Sequence, residues 1–399
     1  MSQPLSKQNL RFASSSGRVL PYGRQSISEA DIAAVVDVLR SDWLTTGPAV
    51  PVFEERIAAF SGARYGVAVS SGTAALHAAV YAIGIGPGDE VIVPPITFAA
   101  TANAVVFQGG TPVFADVDPE TLLLDPAAVE AAITPRTRAI IAVDYAGQPC
   151  DYAALRDIAQ RHGLALIADA CHSLGARYSG QPVGSLADLT VFSFHPVKHI
   201  TTGEGGMIVT GSATYRNRMA SFRNHGIDSD HRQRAERGSW FYEVQDLGYN
   251  YRITDFQCAL GLSQLSRLPE WLEGRHRIAA TYSAAFEGNP FIAPLEVRSD
   301  VFHAWHLYVT RIDFASLRIS RAAAFSRFRE QGIGVNVHYV PVHLHPYYRR
   351  RWGTAPGLCP VAEAAYEELL SLPIFPGMTG ADSERVISAV LGLTERYIP

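Results

Sequence analysis

Lys198 sits in the run Ser193-Phe-His-Pro-Val-Lys198-His-Ile-Thr-Thr-Gly-Glu-Gly-Gly206. Leu189–Phe194 before it and Met207–Thr210 after it are short apolar runs, and Gly203, Gly205 and Gly206 permit a tight turn between them. A lysine at the end of a buried strand, beside a hydroxyl and a glycine turn, is placed to form a Schiff base with an aldehyde cofactor. A strand-end lysine that snorkels to solvent is the alternative for Lys198 taken alone. Asp169 closes another apolar run, in Ile167-Ala-Asp-Ala-Cys-His172. A carboxylate there is costly without a cationic partner. A protonated pyridine nitrogen is such a partner, and the pairing keeps the ring an electron sink; a helix N-cap is the other reading. His172 is placed to lie against such a ring or bond its phenolic oxygen, or to pack as a structural histidine.

Three further groups fit the same chemistry. Ser70-Ser71-Gly72-Thr73 lies between a strand pattern and a helix pattern. Backbone N–H groups and hydroxyls at a helix N-terminus suit a phosphate, and the same residue types also make an ordinary cap. Phe98, in a loop after Pro94-Pro-Ile-Thr97, is placed either to stack on a flat cofactor or to pack in the core. Asn250, in Tyr249-Asn-Tyr-Arg252, either reaches a phosphate or caps the helix that follows.

The elements that must position these residues alternate. Strand patterns at 66–70, 90–94, 112–116, 138–143, 164–168, 189–194 and 207–210 are interleaved with helix patterns at 73–83, 101–108, 126–133 and 152–162. Short continuous apolar strands separated by helices predict a mainly parallel sheet covered on both faces, with ligands at the carboxyl ends of the strands. After Thr254 the pattern changes. Helices are expected at 255–268, 269–287, 321–331, 362–370 and 383–393, and strands at 306–312 and 335–339. The expected division is a large α/β domain over 20–255, then a helical connector and a smaller α+β domain over 256–399.

Composition narrows the class. A chain of 399 residues exceeds one ordinary core. A formal charge of −4 gives no argument for nucleic acid or an anionic membrane. No apolar run approaches membrane-spanning length, and no signal-peptide pattern opens the chain. Cys150, Cys171, Cys258 and Cys359 show no metal-ligand spacing and read as reduced thiols of a cytoplasmic protein, with no metal site expected. The first about twenty residues read as a loose arm. The charged, Gly/Ser-containing stretch 225–245 reads as a mobile loop.

Taken in order, Ser71-Gly-Thr-Ala-Ala-Leu76, Thr97-Phe-Ala-Ala-Thr-Ala-Asn103, Asp169-Ala-Cys-His172, Ser193-Phe-His-Pro-Val-Lys198 and Gly248-Tyr-Asn-Tyr-Arg-Ile-Thr-Asp255 resemble the DegT-type sugar aminotransferases. These are pyridoxal 5'-phosphate (PLP) enzymes of the type I aspartate-aminotransferase fold. The resemblance runs from about Tyr22 to the C-terminal helices. It implies that Lys198 carries PLP as a Schiff base, that Asp169 pairs with the pyridine nitrogen, and that Phe98 stacks on the ring. It also implies that Gly72, Thr73 and Ser193 hold the phosphate, and that Asn250 completes that site from the neighbouring subunit of a homodimer. Val143–Gly147, Ser193–Gly206 and Val337–Pro341 resemble more closely the branch acting on UDP-4-keto-6-deoxy-N-acetyl-L-altrosamine, in pseudaminic acid biosynthesis, and His172 fits that branch. By the same likeness Tyr22, Asp42, Trp43, Leu44, Thr45, Asn336, Val337, His338 and Tyr339 would contact the sugar nucleotide. L-glutamate is the expected donor and pyridoxamine phosphate (PMP) the intermediate form of the cofactor. A different UDP-, dTDP- or GDP-linked keto sugar stays open. Dehydratase relatives carry histidine in place of the lysine, and Lys198 argues against that reaction. An intact Lys198, Asp169 and Ser193 set argues equally against a non-catalytic regulatory protein.

Overall fold

The computed structural model describes residues 19–227, 229, 234, 236 and 238–394. The expected N-terminal arm lies outside the described residues apart from its last positions, as does part of the 225–245 stretch.

Strands β1 (Tyr65–Val69), β2 (Glu90–Val93), β3 (Thr111–Phe114), β4 (Thr137–Val143) and β5 (Ala165–Asp169) come first. A two-residue pair, β6 (Arg177–Tyr178) and β7 (Gln181–Pro182), precedes β8 (Leu189–Ser193) and β9 (Gly206–Thr210). Seven of these form one sheet in the order β1-β9-β8-β5-β4-β2-β3. The pairs β2–β3, β2–β4, β4–β5 and β5–β8 are parallel, whereas β9 runs antiparallel to both neighbours. Only β9 is reversed, so the carboxyl ends of the other six and the amino end of β9 share one edge. The centre of the sheet is aliphatic on both faces: Ile140, Ile141, Leu166, Ile167, Val191 and Ile208 are buried, as a parallel sheet covered by helices requires.

The second sheet is antiparallel, with β10 (Ile292–Pro294), β12 (Tyr308–Ile312) and β13 (Leu369–Leu372) in the order β10-β12-β13. It has its own core, in which Tyr282, Phe286, Phe328 and Val390 come from the helices Leu268–Phe286, Arg321–Glu330 and Gly380–Leu391. β11 (Val301–Phe302) joins β6 and β7 in a third, small ladder.

Two expected elements differ. Val335–Tyr339 is not a strand but an irregular segment with one bridge, Asn336 to Ser371. The Asn336 side chain accepts from the N–H of Val337 at 2.9 Å, a local bond that competes with a ladder. The helix expected over 362–370 spans Pro360–Glu368, and Leu369–Leu372 pairs with β12; tertiary pairing overrides leucine's helical preference. Helices Glu29–Leu39, Ala49–Phe60 and Ala213–Phe222 were not anticipated, although Ser28 and Asp31 make a capping box at the first.

Gly206 shows how tightly the shared edge is built. A Cβ there would lie 2.4 Å from Ser71 O and 2.9 Å from Gly72 N. Gly206→Ala is therefore expected to push β9 away from the 71–72 turn. Urea titration should show a loss of about 1–3 kcal/mol; unchanged stability would mean that the turn yields freely.

Candidate active site

The candidate chemical residues gather at the shared sheet edge. Register places Gly206 opposite both Val69 and Ser193, and Asp169 between Val191 and Val143. Ser71 follows β1 and caps the helix Gly72–Ala82, its side chain accepting from Ala74 N at 3.1 Å. A Cβ on Gly72 would meet Ser193 Cβ at 3.0 Å and Oγ at 3.2 Å. Gly72, Thr73 and Ser193 thus bring two N–H groups of a helix N-terminus and two hydroxyls together, the donor set a phosphate needs.

Asp169 is 5% exposed at the end of β5. Its Oδ2 accepts from Thr101 Oγ1 at 2.7 Å, and its Oδ1 from the N–H of Cys171 at 3.3 Å. Thr97 Oγ1 lies 2.7 Å from Thr101 Oγ1; Thr101 gives its proton to the carboxylate, so Thr97 is the donor to Thr101. Among the described residues no cationic side chain forms an ion pair with Asp169. A buried carboxylate with two neutral donors fits a bound pyridinium. Beside it, Asp144 accepts from Ser173, Tyr152 and Cys150 N. Burial pushes its carboxyl up to about 7.

Lys198 lies in the β8–β9 loop, where its N–H bonds to His195 O and Gly203 turns with φ +80°. Its Nζ is 3.4 Å from His306 Nε2. Burial lowers its pKa from the ordinary lysine value, while Cys171 and Asp169 pull the other way. The net direction favours a neutral, nucleophilic amine.

His172 is buried, and its Nε2 lies 3.2 Å from Tyr339 OH. Its ring packs against that of His306, 4.4 Å between centres and tilted by 44°. Burial, with the Lys198 charge adding to it, holds His172 well below the usual histidine range, so the ring is neutral. Burial pushes the Tyr339 hydroxyl up, so it keeps its proton and is able to donate in that contact.

Of the residues expected to meet the sugar nucleotide, Tyr22, Asn336, His338 and Tyr339 form one connected group. Tyr22 lies near the Asn336 side chain, and its ring sits 5.3 Å from the His338 ring. His338 Nδ1 pairs with Ser371 Oγ at 2.8 Å, and Asn336 Nδ2 lies 3.2 Å from its Nε2. Phe98 is 62% exposed, 6.1 Å from the Tyr339 ring. Val337 instead packs against the core of the second sheet. Asp42, Trp43, Leu44 and Thr45 are exposed, with Leu44 O and Thr45 held by the start of the helix Asp255–Leu265. Asn250 is exposed and bridges Asn224 through its backbone. The cluster around Lys198 therefore includes neither the 42–45 segment nor Asn250. A cavity of about 720 Å³ is lined by Thr45, Glu54, Arg216, Arg223 and Arg252, among others, and not by Lys198, Asp169 or His172. Arg223 pairs with Glu54, and Arg252 donates to Asn224 Oδ1 at 2.8 Å. Both arginines thus have local partners.

The profile of the DegT/DnrJ/EryC1/StrS aminotransferase family matches residues 25–391. The chain belongs to this family. It is 43% identical over 373 residues to the spore coat polysaccharide biosynthesis protein SpsC of Bacillus subtilis, covering 93% of this chain and 96% of that one. The candidate sugar aminotransferase Spr1654 of Streptococcus pneumoniae, in its PMP form, superposes with a TM-score of 0.89 at 34% identity, covering 95% of this chain and 100% of that one. Spr1654 has also been solved in a PLP form. Helicobacter pylori PseC, an aminotransferase involved in the biosynthesis of pseudoaminic acid, superposes at 0.88 with 32% identity, covering 95% and 100%. The fold is thus that of the PLP-dependent aminotransferases, with a mostly parallel central sheet.

Sequence reasoning missed Thr101, Tyr145 and His306. Thr101 is the second residue of the helix Ala100–Phe107 and Tyr145 stands one residue past Asp144; Tyr145 OH bonds His338 O. His306 was read only as the start of a strand, because nothing local to His303-Ala-Trp-His306 points to Lys198.

Six buried histidines generate a pH prediction. Burial lowers His77 to about 4 and His303 and His338 to about 3, and holds His172, His199 and His306 well below the usual value. The unfolded chain binds these protons near pH 6.5 and the folded one does not, so stability falls as pH drops below about 6.5. Asp144, with its raised value, acts in the opposite direction as a single group. The melting midpoint should fall by on the order of 5–10 °C between pH 6.5 and 5; a flat profile would contradict the neutral histidine cluster.

Proposed function

We propose that this sugar aminotransferase uses PLP held by Lys198, takes the amino group of L-glutamate, and delivers it to C4 of UDP-4-keto-6-deoxy-N-acetyl-L-altrosamine. The product is UDP-4-amino-4,6-dideoxy-N-acetyl-beta-L-altrosamine. The observation that carries the cofactor assignment is the opposition, on one sheet edge, of a neutral-leaning amine and a buried carboxylate without a cation. The sequence sharpens it, because its only lysines are Lys7 and Lys198.

When bound, PLP supplies the electron sink that makes an α-carbon proton removable. The residues do the rest. Gly72, Thr73 and Ser193 hold the phosphate through helix N-terminal N–H groups and hydroxyls. Asp169, braced by Thr101 and Thr97, holds the proton on the pyridine nitrogen. Phe98 and His172 bound the ring. Lys198 Nζ, once free, removes a proton from the donor's α-carbon and returns one to C4 of the sugar. Tyr22, Asn336, His338 and Tyr339 offer a mixed aromatic and hydrogen-bonding wall to the sugar nucleotide, and the 42–45 segment extends that contact.

We place the reaction in a homodimer in the cytoplasm. Trp240 is 85% exposed, and Phe241, Tyr242, Val244 and Leu247 beside it are exposed too, an apolar strip that a second copy would cover. Asn250 follows that strip, which suits its role in the partner's phosphate site. Four unpaired cysteines fit a reducing compartment. Among the described residues no helix is long and apolar enough to cross a membrane.

The likeness to PseC supports the altrosamine sugar. The higher identity to SpsC favours, as a second reading, another nucleotide-linked keto sugar destined for a surface polysaccharide. A split reaction separates them. Protein loaded with PLP is treated with L-glutamate until its yellow band fades, freed of glutamate, and given the keto sugar. Return of the band supports the altrosamine sugar, and fading without return discards that sugar alone.

Two variants test the residues. Lys198→Ala should retain cofactor noncovalently and lose turnover by about 10³-fold or more, with borohydride no longer fixing cofactor to the 193–206 peptide. Asp169→Ala should weaken both cofactor binding and rate; normal values for both would remove its pairing role.

A further inference from the structure

His306 lies in a loop whose backbone is held from several sides. Ala304 N donates to Gly147 O at 2.9 Å and Leu307 N to Ala146 O at 3.1 Å. The carbonyls are held as well. His199 Nε2 donates to Ala304 O at 2.9 Å, and Arg275 Nη1 donates to Trp305 O at 3.0 Å and His306 O at 3.2 Å. Arg275 is 1% exposed, and the same Nη1 reaches Ile374 O at 3.0 Å. A buried guanidinium that spends its bonds on carbonyls is costly unless the loop it fixes matters. The loop carries one side chain toward the site. His306, 4% exposed, packs its ring 4.4 Å from His172 and 5.6 Å from His199. The hydrogen-bonding contact the ring makes is Nε2 to Lys198 Nζ, and Nδ1 has no partner among the described residues. A histidine kept for packing would ordinarily satisfy both nitrogens when so deeply buried.

We propose that His306 is a positioning residue: its Nε2 accepts a hydrogen bond from Lys198 Nζ and fixes the direction of that amine whenever it is not bonded to the cofactor. Burial comes first in keeping the His306 ring neutral, and His172, His199 and Arg275 beside it act in the same direction, as does Lys198 whenever that amine is protonated. A neutral amine has two N–H bonds and one lone pair. Committing one N–H to His306 selects among the rotations about Cε–Nζ and directs the lone pair, so less orientational freedom is lost at the proton transfer. Nζ alone takes the proton from carbon and passes it back to carbon, and the imidazole keeps its own, so no bond to His306 forms or breaks. The 3.4 Å separation is long for such a bond and is of the kind that shortens when the site is filled.

The inference rests on Lys198 being the reactive lysine, and the two-lysine sequence makes both testable. Protein labelled with ¹³C at lysine Cε gives two lysine signals, and Lys7→Arg identifies them. In the PMP-loaded full chain Lys198 is a free amine, and its signal titrates with pH. An acceptor stabilises the ammonium more than the amine, so losing it lowers the midpoint. His306→Asn, too short to reach, should lower it by about one pH unit relative to wild type. It should also slow the single-turnover reaction with L-glutamate about 10–100-fold with the apparent KM within about threefold. His306→Gln, which can place an acceptor near Nε2, should recover most of both. Wild-type titration and rate in the Asn variant would overturn the proposal, as would equal losses in Asn and Gln. Melting curves of both variants identify any fold loss, in which case the folded variant decides. Borohydride fixing cofactor to Lys7 instead would remove the Lys198 reading itself.

Discussion

A carboxylate buried at the end of β5 sets the terms for the rest of the site. Asp169 receives one hydroxyl and one N–H and forms no ion pair among the described residues, and a buried carboxylate calls for a cationic partner. It sits on the shared sheet edge, near Lys198, whose pKa burial lowers. The Thr97–Thr101 pair orders the hydroxyl chain so that its last proton points at Oδ2. Each of these features is unfavourable or neutral for stability taken alone. Together they describe a place for a flat cationic ring.

Strand direction explains why the parts meet. The Ser71–Gly72 turn, Phe98, Asp169 and Ser193 follow strands pointing the same way, and the single reversed strand brings Gly206 back to the same edge. The helix Gly72–Ala82 begins at that edge, so its N-terminal N–H groups face the hydroxyl of Ser193. The second sheet contributes differently. Its β13 holds His338 through Ser371 and Asn336 through a bridge, so the wall proposed for the sugar nucleotide is anchored in a separate core from the cofactor cradle.

That separation accounts for what the sequence made legible. The apolar runs of β2, β4, β5 and β8 announce a buried parallel sheet because nothing but aliphatic side chains fits there, and their ends fell within a residue or two of the structure. Asp169 and Ser193 were readable because each closes such a run, whereas Lys198 lies in the loop five residues beyond β8 and Gly72 opens the helix after β1. Val335–Tyr339 was misread because an asparagine's own side chain took the backbone N–H that a strand would have used. His306 was invisible for a different reason. Its relation to Lys198 is made by four elements distant in sequence: the turn after β4, the β8–β9 loop, Arg275 and the approach to β12. No local spacing encodes that meeting.

The same contrast bears on which residues can change during divergence. Residues fixed by strand ends inherit their position from the sheet and keep it while the sheet exists. Asn336 and His338 are held by side-chain and bridge contacts to each other and to Ser371, so a substitution there acts first on the wall. The wall still touches the sheet edge at two points: Tyr339 OH lies 3.2 Å from His172 Nε2, and Tyr145, just past β4, bonds His338 O. A change in the wall therefore reaches the strand ends through those two contacts, whereas a change at the strand ends acts on the sheet itself.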